Sequence, residues 1–281
     1  MNPLEQIALA WQSLGYALRQ LFRPWLWTPW LALGLLQAGV LAALAFAAHP
    51  WVSPLLAPLV TRLAGEPALH YPDLYLALPG LYARIDLVIA ALPGPIALGA
   101  ATALFRDVAL ARRPQPGTAF RIALRRAPAL ILANLPFHLL AAAWSAGVAA
   151  LAGGRGDIVA QAAHVTALAG SVLFQTLFLY ASAFVVIEGR GTLGALAALP
   201  HGWREGFWAA LVPSVLLLLP LLPLHLLSGA GAVIAERGRP ELLAAMALAQ
   251  IGVALVASFL LYGAATLVFL GGIARRREAG P

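Results

Sequence analysis

The sequence predicts an all-α fold: a polytopic membrane bundle of six transmembrane helices, arranged as three helix-plus-hairpin units with short amphipathic helices on the membrane surface. Three observations predict it. The chain is 62% hydrophobic and 10% charged, with a mean hydropathy of +0.85, whereas soluble domains run near a quarter charged. Apolar stretches long enough to cross about 30 Å of hydrocarbon recur along the whole length. Arginines cluster in alternate connections, the pattern the positive-inside rule gives a multi-pass protein. No polar stretch is long enough to fold by itself, so residues 1–281 are expected to form a single integral membrane domain.

The elements follow in order. Within residues 1–25, Leu4, Ile7, Trp11, Leu14, Leu18 and Leu21 step by three and four, with Glu5, Gln6, Gln12, Arg19 and Gln20 elsewhere on the wheel. This spacing predicts an amphipathic helix lying on the cytoplasmic surface. The first span, 26–48, has no clear small-residue cleavage site after it, so it reads as a retained anchor and the mature protein is expected to begin near Met1. Residues 49–84 read as an external interfacial segment: Ser53 before Pro54 starts a helix, Gly65 stops it, and Leu55, Leu59 and Leu63 give it an apolar face. The second span, 86–106, is interrupted by Pro93 and Pro95. After it, Thr118 can cap a short helix with Phe120, Ala123, Leu124 and Ala127 on one face, before Pro128 opens the third span at 128–151. Spans four (158–186) and six (242–273) contain no proline and read as straight struts, longer than the bilayer requires. Between them, Thr192 can cap a third surface helix leading through Pro200, Trp203 and Trp208 into span five, 207–232, which holds Pro213, Pro220 and Pro223. The units start near residues 13, 117 and 192, and Tyr16 with Phe120, Pro24 with Pro128 and Leu26 with Leu130 match at one offset.

Charge sets the orientation. All 18 basic residues are arginine. Thirteen fall on one side (Arg19, Arg23, Arg106, Arg112, Arg113, Arg121, Arg125, Arg126, Arg190, Arg204, Arg275, Arg276 and Arg277) and five on the other (Arg62, Arg84, Arg155, Arg237 and Arg239), beside Glu66, Asp73, Asp86, Asp157, Glu236 and Glu241. Both termini are therefore expected in the cytoplasm. The pI near 10.7 is a topology signal and does not point to nucleic acid. Arginine in place of lysine, with abundant Ala, Leu, Gly and Pro, is the composition of a GC-rich bacterial genome, so the expected location is the bacterial inner membrane. The absence of cysteine excludes disulfides and thiolate chemistry.

The segments GTAFRIALRRAPALIL (117–132) and TLGALAALPHGWREGFWAALVPSVLLLLP (192–220) lead a short Ala- and Arg-rich helix into a membrane span, the second of them through aromatic residues. In this they resemble the membrane domain of some bacterial glycerophosphodiester phosphodiesterases and a wider group of six-span bacterial membrane proteins. The phosphodiesterase catalytic domain has no counterpart here, so the resemblance implies a fold and no catalytic residue.

Signatures of soluble enzymes are missing: no Walker-type loop, no HExxH, no GxSxG. Ser171 and His164 are too generic for an intramembrane protease, and His138, His164 and His225 fall at different expected depths, which argues against a zinc site. No metal or other cofactor is expected. Asn134 and His138, four apart on span three, share a helix face, and Pro136 between them frees a carbonyl. These groups need internal partners in lipid, so the face is expected to point into the bundle toward Gln175, Gln250 or Gln37. Trp11, Trp51, Tyr71, Trp203 and Trp208 read as interfacial anchors. The expected function is non-enzymatic: binding lipid or a membrane-protein partner, or organising a membrane complex. The alternative is a transporter or channel using the proline-broken interior of spans two, three and five.

Overall fold

The computed structural model describes residues 2–153, 156–229, 233–234 and 239–278. Arg155, Glu236 and Arg237 of the charge balance lie outside the described residues, as do the side chains of Asp157, His225, Arg276 and Arg277. Among the described residues there is no strand. The elements are α1 (Pro3–Arg19), a 3-10 turn (Pro24–Trp27), α2 (Thr28–Ala45), α3 (Ser53–Ala64), a second 3-10 turn (Glu66–Leu69), α4 (Asp73–Ala91), α5 (Pro93–Ala109), α6 (Pro116–Arg125), α7 (Ala127–Ala152), α8 (Asp157–Phe178), α9 (Ala181–Val186), α10 (Thr192–Leu218), α11 (Leu222–Gly229) and α12 (Leu242–Glu278).

Five of the described helical stretches are long and apolar enough to cross a membrane: Pro24–Ala45, Asp73–Ala91, Ala127–Ala152, Gln161–Val186 and Leu242–Arg275. The chain is an all-α, multi-pass membrane protein. Three predicted spans take a different form. Span 86–106 is divided, because Pro93 occupies the first turn of α5 and has no N–H to continue α4. Asp73 opens α4 well inside the stretch read as interfacial, and the helix runs through Pro79. Span 207–232 is not one helix either: α10 stops at Leu218 and α11 restarts at Leu222, with Pro220 in the gap. Span four, expected as a straight strut, breaks without a proline between Phe178 and Ala181.

Helix starts follow their caps. In α1 the Asn2 side chain accepts from Glu5 N (2.8 Å) and the Glu5 carboxylate accepts from Asn2 N (3.0 Å), a reciprocal capping box that satisfies two orphan donors. Gly65, at φ 87°, ends α3 where the sequence places the stop. Thr118 does not cap α6: Pro116 takes the first turn, and the Thr118 hydroxyl donates to Gln115 Oε1 at 3.0 Å.

The chain forms two compact units. The first comprises Met1–Trp30, Ala91–Leu218 and Ser258–Pro281. In it α1 packs on α10, and α5 lies against α6, α7 and α9. Trp27 stacks on Phe259 with centroids 4.5 Å apart, and Phe105 meets Phe259 edge-on at 5.1 Å. Small residues permit the close approaches: a Cβ at Gly99 would lie 2.6 Å from Leu130, and one at Gly263 would lie 2.8 Å from the Phe105 ring. The second unit comprises Leu31–Ala90 and Leu219–Ala257. Its core gathers Leu41 and Leu44 of α2, Val60 of α3, Leu74, Leu78 and Leu81 of α4, and Ile251 of α12. There the exposed Tyr71 phenol is held above its ordinary pKa, first by desolvation and then by the Glu241 carboxylate to which it hydrogen-bonds.

Gly263→Ala should lower the melting temperature in detergent by overpacking against the locked Phe105 ring, a cost of about 1–3 kcal/mol. Gly39→Ala, where an added Cβ meets nothing within 4 Å, should be neutral or stabilising by up to about 1 kcal/mol. Equal losses at the two positions would contradict this packing.

Candidate functional site

The polar pair on α7 is the first candidate, and its chemistry closes on itself. Asn134 is buried, and its Nδ2 donates to Leu130 O at 2.8 Å and to Ser182 Oγ on α9 at 3.4 Å. His138, one turn on, is half-buried with its ring tilted against Phe137 at 4.7 Å. The glutamines named from sequence have other surroundings. Gln175 is half-buried on α8. Gln250 belongs to the second unit, where it donates to Leu224 O at 3.0 Å. Gln37, also in that unit, donates to Asp86 Oδ1 at 2.8 Å. Ser182 was missed by the sequence reading because the break that aims it, between α8 and α9, carries no proline. Among the described residues no three His, Cys, Asp or Glu side chains gather as metal ligands.

A second polar cluster lies at the bend of α10. Gly206 leaves helical geometry (φ −148°, ψ 20°), which disturbs the helical bonding between Trp208 N–H and Arg204 O, four residues back. The Gln6 side chain of α1 bonds both of these groups: its Oε1 accepts from Trp208 N at 3.0 Å and its Nε2 donates to Arg204 O at 3.3 Å. Tyr180 O–H donates to Gly206 O at 2.9 Å, and a Cβ at residue 206 would lie 2.6 Å from that hydroxyl. Trp203 Nε1 donates to Leu177 O at 2.7 Å, satisfying a carbonyl in the last turn of α8. The cavity beside this bend, lined by Tyr180, Phe184, Gly202, Glu205 and Val268, measures about 10 Å³. That is room for one water at most.

An acid also sits within a candidate span. Asp86 of α4 accepts at Oδ1 from Gln37 Nε2 (2.8 Å) and Tyr82 O–H (3.2 Å), and Arg84 turns away to donate to Leu63 O at 2.8 Å. The sequence reading placed Asp86 at a membrane edge. Its contact with Gln37, the tenth residue of the 18-residue α2, gives the second unit a carboxylate beside the middle of a helix.

The arginines are not all surface charge. Arg126 Nη1, at the start of α7, donates to the carbonyls of Val185 and Val186 and so closes the end of α9. Beyond α9, Gly189 at φ 76° turns the chain. Arg190 then pairs with Glu188 at 2.7 Å and lies 5.3 Å from the Phe184 ring centroid. A cavity of about 750 Å³ opens here, lined by Arg106, Leu110, Arg112, Ile187, Glu188, Leu270, Ile273 and Ala274.

Of the aromatic anchors, Trp11 (56% exposed), Trp51 (87%), Tyr71 (65%) and Trp208 (41%) face outward. Trp203 differs, since its indole N–H is committed to Leu177 O inside the first unit. Phe22 and Trp25, which the sequence reading did not name, are more exposed than Trp11. No family model matches the chain, and neither does any curated protein or solved structure.

Gln6→Leu should leave Arg204 O and Trp208 N unpaired, at about 1–3 kcal/mol for each group, and should depress the melting temperature more than Asn134→Leu. The latter should cost about 0.6 kcal/mol, the mean for hydrogen bonds between membrane helices. The reverse order would remove Gln6 from the bend.

Proposed function

We propose that this is a non-enzymatic protein of the bacterial inner membrane, with six crossings and both termini in the cytoplasm, that binds lipid at its cytoplasmic face. The observation that carries the reading is the orientation of α1. Gln6, Ala10, Ser13 and Ala17 are buried toward the protein, while Leu4, Trp11 and Leu18 are 77%, 56% and 45% exposed, with Glu5, Gln12 and Arg19 exposed beside them at the water edge of the helix. A helix on a soluble protein buries its apolar stripe. One that turns its apolar stripe outward, followed by exposed Phe22 and Trp25, is built to enter the acyl-headgroup boundary. Leu14 is the exception, buried with the inner face.

The 13-to-5 arginine distribution supports an even number of crossings. The second crossing falls within residues 73–109. The fifth is formed by the end of α10 with α11, a discontinuous span of the kind membranes tolerate around proline. The resemblance of 117–132 and 192–220 to the membrane domain of bacterial glycerophosphodiester phosphodiesterases agrees with this reading, since that likeness brings no catalytic residue. A transporter is the second reading, and Asp86 favours it: an ionisable group in a membrane helix marks a solute or proton path more often than a packing contact.

The cysteine-free chain permits a direct test. Spin labels on Leu4→Cys, Trp11→Cys and Leu18→Cys should be accessible to oxygen and shielded from a water-soluble relaxant, with the reverse at Gln12→Cys and Arg19→Cys. Water access at all five positions would overturn the lipid-facing assignment. Reporter fusions after residues 115, 195 and 281 should all read cytoplasm; an external signal from any one would overturn the topology.

A further inference from the structure

The open cavity of about 750 Å³ at the arginine-rich end of the first unit carries both signs of charge over an apolar floor. Its size lies in the range of small-molecule sites. Leu110, Ile187, Leu270 and Ile273 supply the floor. On the rim, Arg106 spends Nε and Nη2 on Asp107 (3.1 and 2.8 Å), leaving its other guanidinium hydrogens for a ligand. Arg112 is exposed and unpaired among the described residues. Ala111, at φ 54°, and the bond from Arg112 N to Asp107 O (2.8 Å) fold the chain back at the end of α5. Glu188 faces the same cavity, and its Oε2 is already held by Arg190 at 2.7 Å. A carboxylate offers about four acceptor positions, so Glu188 can hold Arg190 and other donors together.

A simple anion site would not place a carboxylate in its wall. We infer that this cavity binds the headgroup of a zwitterionic aminophospholipid, with the phosphate on Arg112 and Arg106, the primary ammonium on Glu188, and the upper acyl chain along Leu110, Ile187, Leu270 and Ile273. Arginine suits the phosphate because its planar fork can donate two parallel hydrogen bonds. The ammonium distinguishes this ligand from anionic phospholipids, which have no cation to give Glu188. Its N–H donors distinguish it from choline lipids, whose quaternary nitrogen cannot hydrogen-bond. The inference rests on the lipid-binding reading and names the lipid class.

The test uses the full chain in detergent, with thermal stabilisation and native mass spectrometry as readouts, against phosphatidylethanolamine, phosphatidylglycerol, phosphatidylcholine and soluble glycerophosphoethanolamine. Phosphatidylethanolamine should bind about tenfold tighter than either other lipid, the worth of one charge-assisted hydrogen bond. Glu188→Gln should erase that preference while keeping lipid binding, and Arg112→Ala should weaken all three lipids. If Glu188→Gln does not fold, the wild-type ranking with Arg112→Ala decides. Equal binding of the three lipids, or a preference for phosphatidylglycerol, would overturn the aminophospholipid assignment and leave the lipid-binding reading standing. Binding of glycerophosphoethanolamine as tight as that of the lipid would overturn the membrane source. No stabilisation or co-purification by any lipid would overturn both.

Discussion

A backbone carbonyl or amide in hydrocarbon has no water to turn to, and the cost of leaving it unpaired governs how this chain breaks its helices. Three interruptions in the first unit, the α8–α9 break, the end of α9 and the bend of α10, are answered by side chains from other elements. Gln6 bridges Arg204 O and Trp208 N across Gly206, Trp203 takes Leu177 O, Tyr180 takes Gly206 O, and Arg126 closes the end of α9. The residues that carry these bonds come from α1, α10, the α8–α9 break and the start of α7. Loss of any one takes a partner from a backbone group at a break.

This constraint separates what the sequence reveals from what it does not. Hydrophobic length and arginine placement are properties of single segments, and they were enough to predict an all-helical membrane chain, the third span and the uninterrupted last one. Breaks are relations between segments. Proline was a partial guide to them: breaks fall at Pro93 and Pro220, but Pro58, Pro79 and Pro136 lie inside continuous helices, the bend of α10 falls at Gly206 and not at Pro200 or Pro213, and span four parts beside Tyr180. In both cases the non-helical geometry is supported by a partner at least 26 residues away, and no local pattern encodes that.

The candidate site was legible to a similar degree. Asn134 was singled out as a polar group needing an internal partner, and it has one. The partner is Ser182, a small residue without periodicity of its own, and none of the glutamines. The wheel of α1 was read correctly as amphipathic, but hydrophobic spacing alone does not say whether the apolar stripe faces protein or lipid. The polar stripe decides, because Gln6 is on it and has bonds to make. Charge counting had a matching blind spot, since Arg126 enters the topology tally as a surface cation while its guanidinium caps a helix inside the fold.

The bridge between Gln6 and the bend of α10 joins residues 198 positions apart. During synthesis α1 leaves the ribosome well before α10, and until α10 follows it the Gln6 amide has no bend to hold. The helix can rest on the bilayer by its apolar stripe alone, as an early foothold for the segments that follow. Only when Arg204 and Trp208 have emerged can α1 dock on the bend, so a segment made early is fixed in place late. A chain cut short before α10 would therefore keep a membrane-bound N-terminus with its inner, polar stripe uncovered, a mark by which quality control could tell an unfinished molecule from a complete one.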